Sequence, residues 1–248
     1  MNTFFFFFMA MPALLVAGCG KEKTTGNPAA PAMVAAAVSA PRGGDWSKAV
    51  AKTGDGGFVM GNPDARVKLV EFGSMTCHFC AGFEEQGGEA LVRDYVAKGL
   101  VSWEFRNFVR DPFDLAATLV ARCGGEDRFF AITRALYLSQ QQWVARIQSA
   151  DPVRMQALQA KAPEQQFAEI ADIGGLKLFG SQRGVRPANL DQCLADKGEI
   201  DRLVQINSET TSRYPEFRGT PGFVIDGEFI GSQTWATLEP KLKQKLAG

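Results

Sequence analysis

The spacing of apolar residues along the chain outlines its elements. Val67-Lys68-Leu69-Val70-Glu71-Phe72 is a short, β-branched and apolar run bounded by Gly61-Asn62-Pro63 and Gly73-Ser74, which predicts a buried strand. Phe79, Phe83, Leu91 and Tyr95 then recur at multiples of four and form one helical face, with Gly99 placed as its C-terminal stop. Gly87-Gly88 interrupts this helix and predicts a kink, while the spacing with Phe83 points Phe79 into the core, a substrate platform being the alternative. Val101, Trp103 and Phe105 alternate with Ser102, Glu104 and Arg106, a second strand that completes a βαβ unit.

From Asp111 to about Arg213 the pattern is helical, opened by Asp111-Pro112 as cap and first turn and punctuated by Gly124-Gly125 and Gly174-Gly175. Phe223-Val224-Ile225 and Glu228-Phe229-Ile230 flank Asp226-Gly227, a favoured two-residue hairpin turn. Trp235, Leu238, Leu242 and Leu246 mark a last amphipathic helix, which accommodates Pro240 only if its first turn begins close by. The order βαβ, helices, ββα predicts an α/β domain over residues 45–248 with a helical insertion at about 111–213.

The chain ahead of this domain reads as an address. Phe4 to Cys19 carries no charged side chain and runs about 16 residues, short of the roughly 20 that a spanning helix needs. Val16-Ala17-Gly18-Cys19 resembles a bacterial lipobox, so residues 1–18 are expected to be a signal peptide and Cys19 the lipidated mature terminus; an ordinary cleaved signal is the alternative. No Lys or Arg precedes the Phe run, which departs from the usual signal. Residues 19–44, rich in Ala, Pro, Gly and Thr, read as a flexible tether. The expected location is the periplasm, on a lipid anchor, where disulfides persist.

Composition narrows the functional classes. With 248 residues, 46% hydrophobic and 22% charged, the chain can bury a full core, which excludes disorder as its main state. Lys+Arg and Asp+Glu both number 27, so no basic excess favours nucleic acid. A single histidine, His78, excludes a multi-histidine metal centre.

The chemistry concentrates at Cys77-His78-Phe79-Cys80, a CxxC where a strand gives way to a helix. Cys77 falls at the helix start, where unpaired N–H groups and the positive end of the helix dipole favour a thiolate. Cys80 lies one turn deeper, close enough for a local disulfide and less well served by free amides. Cys77 is therefore the attacking and leaving sulfur, and Cys80 the resolving one. Stabilising the thiolate stabilises the reduced form and makes the disulfide the better oxidant. His78, beside Cys77, can add positive charge near neutral pH; an exposed helix-start residue without a role is the alternative.

Half of a metal site is the rival reading of the CxxC, but Cys123 and Cys193 stand alone, without the paired spacing of zinc motifs, so neither metal nor other cofactor is expected. Setting Cys19 aside, a local Cys77/Cys80 pair leaves Cys123 to pair with Cys193 as a structural disulfide, against the alternative of two buried free thiols.

Glu71, Cys77-His78-Phe79-Cys80 and Arg218-Gly219-Thr220-Pro221-Gly222-Phe223, with helices between the two halves, resemble the DsbA-like thiol:disulfide oxidoreductases of the thioredoxin superfamily over roughly residues 56 to 247. The resemblance implies a thioredoxin-like fold, a cis Pro221 lying against the cysteines, and a Thr220 backbone that pairs with an incoming peptide strand. It also matches Glu71 to a buried acid six positions before the first cysteine. Val67 and Leu69 share that residue's face, so it should be inward, desolvated and suited to moving a proton to or from Cys80, with an ordinary edge-strand acid as the alternative. The best-known oxidase of the family has Pro then His between its cysteines and Val before the cis proline, positions that tune potential.

The expected activity is disulfide donation to reduced exported proteins, with regeneration by a membrane quinone-linked (DsbB-like) thiol oxidase. A reductase or isomerase kept reduced by a membrane donor is the rival within the class. A chaperone-like or metal-handling binding module is the rival outside it.

Overall fold

The structure, a computed structural model, describes Pro41 and residues 43–248. The expected signal peptide, Cys19 and the tether up to residue 40 lie outside the described residues. After a single 3₁₀ turn at Trp46–Lys48 come β1 (Val50–Lys52), β2 (Phe58–Met60) and β3 (Val67–Gly73). A helical stretch follows, with α1 (His78–Phe83) continuing into π-helical turns at Glu84–Gly88 and Leu91–Val96, and β4 (Val101–Asn107) returns beside β3. Eight helices then run in succession: α2 (Pro112–Arg122), α3 (Gly125–Leu138), α4 (Gln140–Gln148), α5 (Pro152–Leu158), α6 (Pro163–Ile173), α7 (Leu176–Ser181), α8 (Pro187–Leu194) and α9 (Lys197–Arg213). The hairpin β5 (Gly222–Ile225) and β6 (Glu228–Gly231) and a last helix α10 (Trp235–Ala247) close the domain.

The six strands form one sheet in the order β1-β2-β4-β3-β5-β6. β3 and β4 are parallel and every other pair is antiparallel. β3 therefore sits in the middle, with Glu71 level with Phe105 of β4 and Phe223 of β5. Alternation sends Val67, Leu69 and Glu71 to one face, where the larger core lies, and Phe72 to the other, where it packs with Tyr214, Phe217 and Val224. At the hairpin, Asp226 (φ 51°) and Gly227 (φ 85°) both occupy the left-handed region that a two-residue turn of this hand requires.

The helix is irregular around Gly87-Gly88: Glu84–Gly88 and Leu91–Val96 are π-helical turns, with helical backbone angles at Glu89 and Ala90 between them. The glycines also serve close packing, because a Cβ on Gly87 would lie 2.5 Å from the Trp235 ring and one on Gly88 would meet the Glu84 carboxylate. Two local expectations need correction. Phe79 is 65% exposed rather than buried. It stands in the first turn, where its flank of the helix has no packing partner, and its ring lies 3.9 Å from that of His78. Pro240 sits at the sixth position of α10, beyond the first turn, in a helix held at its start by reciprocal capping between Thr234 and Thr237.

The strands β1 and β2 have no counterpart in the sequence reading. Each is three residues long, too short for alternation to show, and only pairing to β4 and to each other reveals them.

Candidate active site

Cys77 caps α1. Its backbone is extended, and the N–H of Cys80 donates to its Sγ at 3.4 Å. Across the site the Thr220–Pro221 peptide bond is cis, and the Cys77 thiol donates to the Thr220 carbonyl oxygen at 3.2 Å. Topology makes this meeting possible: β3 leads into Cys77, and β5, its antiparallel neighbour, begins immediately after Pro221. Cys77 and Cys80 are free thiols, both buried.

Their environments push the two sulfurs in opposite directions. The Cys80 thiol hydrogen bond, aided by the Thr220 side chain and the backbone N–H groups of Cys80 and Phe79, overcomes burial and brings Cys77 down to about 5. The Thr220 hydroxyl is buried and has no other partner. Cys80 is pushed well above the ordinary thiol value, first by burial and then by its bond to Cys77. His78 is exposed and turns its ring to Phe79, so the groups that reach the sulfur are helix-start amides, Cys80 and Thr220.

Beneath the cysteines lies a set of buried acids and aromatic polar groups. Glu71 is 1% exposed, its Oε2 has no hydrogen-bond partner, and burial followed by the nearby Glu84 charge raises it well above the carboxylate range. Glu84, one turn past Cys80, is held up to about 7 by burial, which Arg134 at 3.5 Å only partly offsets. The Tyr137 hydroxyl is buried, unpartnered, and raised well above its usual value by burial. Such groups can hold a proton near Cys80 at neutral pH.

Sequence reasoning singled out Glu71 but not Glu84, Asp114, Tyr137 or Gln140. Glu84 had a legible signal, since i+4 from Cys80 places it on the same helix face. Asp114 and Gln140 carried none, because their roles depend on where α2 and α4 dock. Asp114 is fully buried, accepts from the Ser74 hydroxyl at 2.6 Å and the Met75 N–H at 2.7 Å, and is raised to about 6 by burial. Gln140 donates to the carbonyls of Met75 and Cys77.

Away from this site, Cys123 at the end of α2 and Cys193 in α8 are disulfide-bonded across a separation of 70 residues. Among the described residues no group of three His, Cys, Asp or Glu side chains is placed to hold a metal ion. No helix among them is long and apolar enough to cross a membrane.

Comparison with known proteins agrees with this geometry. The family model described as Thioredoxin matches residues 53–244. The structure is similar to that of a protein-disulfide isomerase from Novosphingobium aromaticivorans, with a TM-score of 0.71 and 32% identity, covering 77% of this chain and 97% of the other. It shares its fold with alpha-DsbA1 of Wolbachia pipientis, with a TM-score of 0.61 and 18% identity over 76% of this chain and 90% of that one. In sequence it is 26% identical over 201 residues to a Rickettsia conorii protein named "Putative protein-disulfide oxidoreductase", covering 80% of this chain and 64% of that relative. The chain thus spans just under two thirds of that curated relative's length. It belongs to the thioredoxin family and shares the fold of the DsbA structure.

Proposed function

We propose that this protein is an exported oxidase of protein thiols, passing the Cys77–Cys80 disulfide to reduced exported proteins. A client thiolate attacks Cys77 Sγ in the disulfide, and Cys80 leaves and takes up a proton, with the protonated Glu71 carboxyl as the donor nearby. The second client thiolate then attacks the client sulfur of the mixed disulfide, and Cys77 departs as a thiolate. Two electrons have passed to the protein, and a membrane quinone-linked (DsbB-like) thiol oxidase restores the disulfide. In this reading the Thr220 backbone pairs with the client strand, His78 lines the solvent side of the sulfur, and the Cys123–Cys193 disulfide is structural. Cys19 carries a lipid anchor that keeps the domain in the periplasm at a membrane surface.

The observation that carries this reading is the opposed pair of thiols, Cys77 at about 5 and Cys80 well above the usual value. A sulfur so readily ionised is a good leaving group, and its stability as a thiolate favours the reduced protein, which makes the disulfide oxidising. The similarity to a protein named a disulfide isomerase supports a second reading, in which the dithiol is kept reduced and reshuffles client bonds. Equilibration with glutathione buffers separates the two. A potential near about −120 mV supports the oxidase, whereas one near about −270 mV would place the protein with thioredoxin-like reductants and sink the proposal.

A further inference from the structure

Ser74, Met75, Thr76 and Cys77 form the segment that delivers the attacking sulfur from β3 to α1, and side chains of the helical insertion hold every one of them. The Ser74 hydroxyl donates to Asp114 Oδ2 at 2.6 Å and the Met75 N–H to Asp114 Oδ1 at 2.7 Å. The Thr76 hydroxyl donates to Asp111 Oδ2 at 3.0 Å. Gln140 Nε2 donates to the Met75 carbonyl at 2.7 Å and to the Cys77 carbonyl at 3.0 Å. Asp114 is fully buried and Gln140 nearly so. Asp111 and Asp114 belong to the capped first turn of α2, and Gln140 is the first residue of α4.

None of these side chains touches either sulfur. What they fix is the peptide frame around Cys77. The Cys77 carbonyl that Gln140 engages is also the one that opens α1, accepting the Ala81 N–H at 3.1 Å. Turning that peptide plane would swing Cys77 Sγ away from the Phe79 and Cys80 amides and from Thr220, the groups on which its reactivity depends. The sheet does not need the insertion for its own pairing, since β3, β4 and β5 are bonded to one another directly.

We infer that Gln140 and Asp114 are positioning residues, through which the helical insertion holds Cys77 against the helix-start amides that govern its reactivity. This deepens the proposed function, resting on Cys77 as the reacting thiol. The insertion then sets the oxidising strength of the site through the backbone rather than through the residues between the cysteines.

The test uses the full chain with Gln140→Met, which keeps the side chain's length and removes both donors, and Thr76→Val, a milder change at a half-buried site. Thiolate absorbance gives the Cys77 titration midpoint, and glutathione equilibration gives the redox equilibrium constant. Gln140→Met is expected to raise the midpoint by about half a unit or more and to make the disulfide at least about threefold less oxidising, with Thr76→Val smaller in the same direction. Gln141→Met, exposed on the same helix, should change neither. If both folded variants keep the wild-type midpoint and equilibrium constant and lose only thermal stability, the inference fails. Should Gln140→Met not fold, Thr76→Val and Asp114→Asn decide by the same readouts. A wild-type protein that cannot oxidise a dithiol peptide, while the variants still move the midpoint, would overturn the proposed function and leave this inference standing.

Discussion

The Thr220 carbonyl oxygen lies 3.2 Å from Cys77 Sγ, although 143 residues separate the two in sequence. Cys77 ends the loop after β3, and Thr220 ends the loop before β5, strands that are antiparallel neighbours at the centre of the sheet. The whole helical insertion is looped out between two points in van der Waals contact.

Replacing either cysteine separates their roles. Cys77→Ser should abolish transfer to a dithiol client, whereas Cys80→Ser, offered a client that carries a disulfide, should accumulate a mixed disulfide by exchange at Cys77, visible on non-reducing gels. Thiolate absorbance should titrate with a midpoint near about 5 for Cys77. A midpoint near the free thiol value of about 8.5 would remove the basis of the mechanism.

The same depressed thiol gives the reduced protein a pH dependence of definite sign. Its folded value lies below the unfolded one, so at this group the unfolded chain binds more protons between about 5 and about 8.5, and the contribution of Cys77 to the stability of the reduced form rises with pH across that window. Urea unfolding at pH 5 and pH 8 should show the stability difference between the reduced wild type and Cys77→Ser growing with pH.

Glu84 acts in the opposite sense. Its folded value, about 7, lies above the unfolded carboxylate value, so the native state binds the extra proton and stability is lost as pH rises through about 4.5 to 7. Glu84→Gln removes that loss. It should be near neutral at pH 4 and stabilising by up to about 3 kcal/mol at pH 8, less whatever the Arg134 contact contributes. Denaturant midpoints at the two pH values check both halves.

Removing the Cys123–Cys193 disulfide as a double Ala variant should cost up to about 4 kcal/mol, since the bond closes a loop of 70 residues. Because it joins α2 to α8 away from the thiols, the midpoint of Cys77 should stay in place. Thermal unfolding alongside the thiolate titration distinguishes a structural staple from a second redox centre.

Phe79→Ala should leave stability within about 0.5 kcal/mol, because its ring is 65% exposed. Phe83→Ala, four residues on and 3% exposed, should cost about 3 to 5 kcal/mol. Chemical denaturation of the pair measures how far the two positions differ.

Read alone, the chain discloses most of the features that local physics controls. Alternation at Val67 to Phe72 fixed the central strand and turned Glu71 inward, Asp226-Gly227 chose the hairpin turn, and the CxxC after a strand placed Cys77 at a helix mouth. These depend on neighbours a few residues apart, so periodicity and turn chemistry carry them. Phe79 escaped the same logic because a four-residue spacing names a helix face without saying whether anything covers it at the first turn. The short strands β1 and β2, the clamp of Asp114 and Gln140 on the cysteine loop, and the approach of Thr220 to Cys77 belong to the tertiary structure. Each joins segments whose separation along the chain leaves no period to detect, and each is fixed only by how helices dock and strands pair. The reactive sulfur and the nearby Cys80 and helix-mouth amides that acidify it are marked by sequence, while Thr220 is brought to it by the fold.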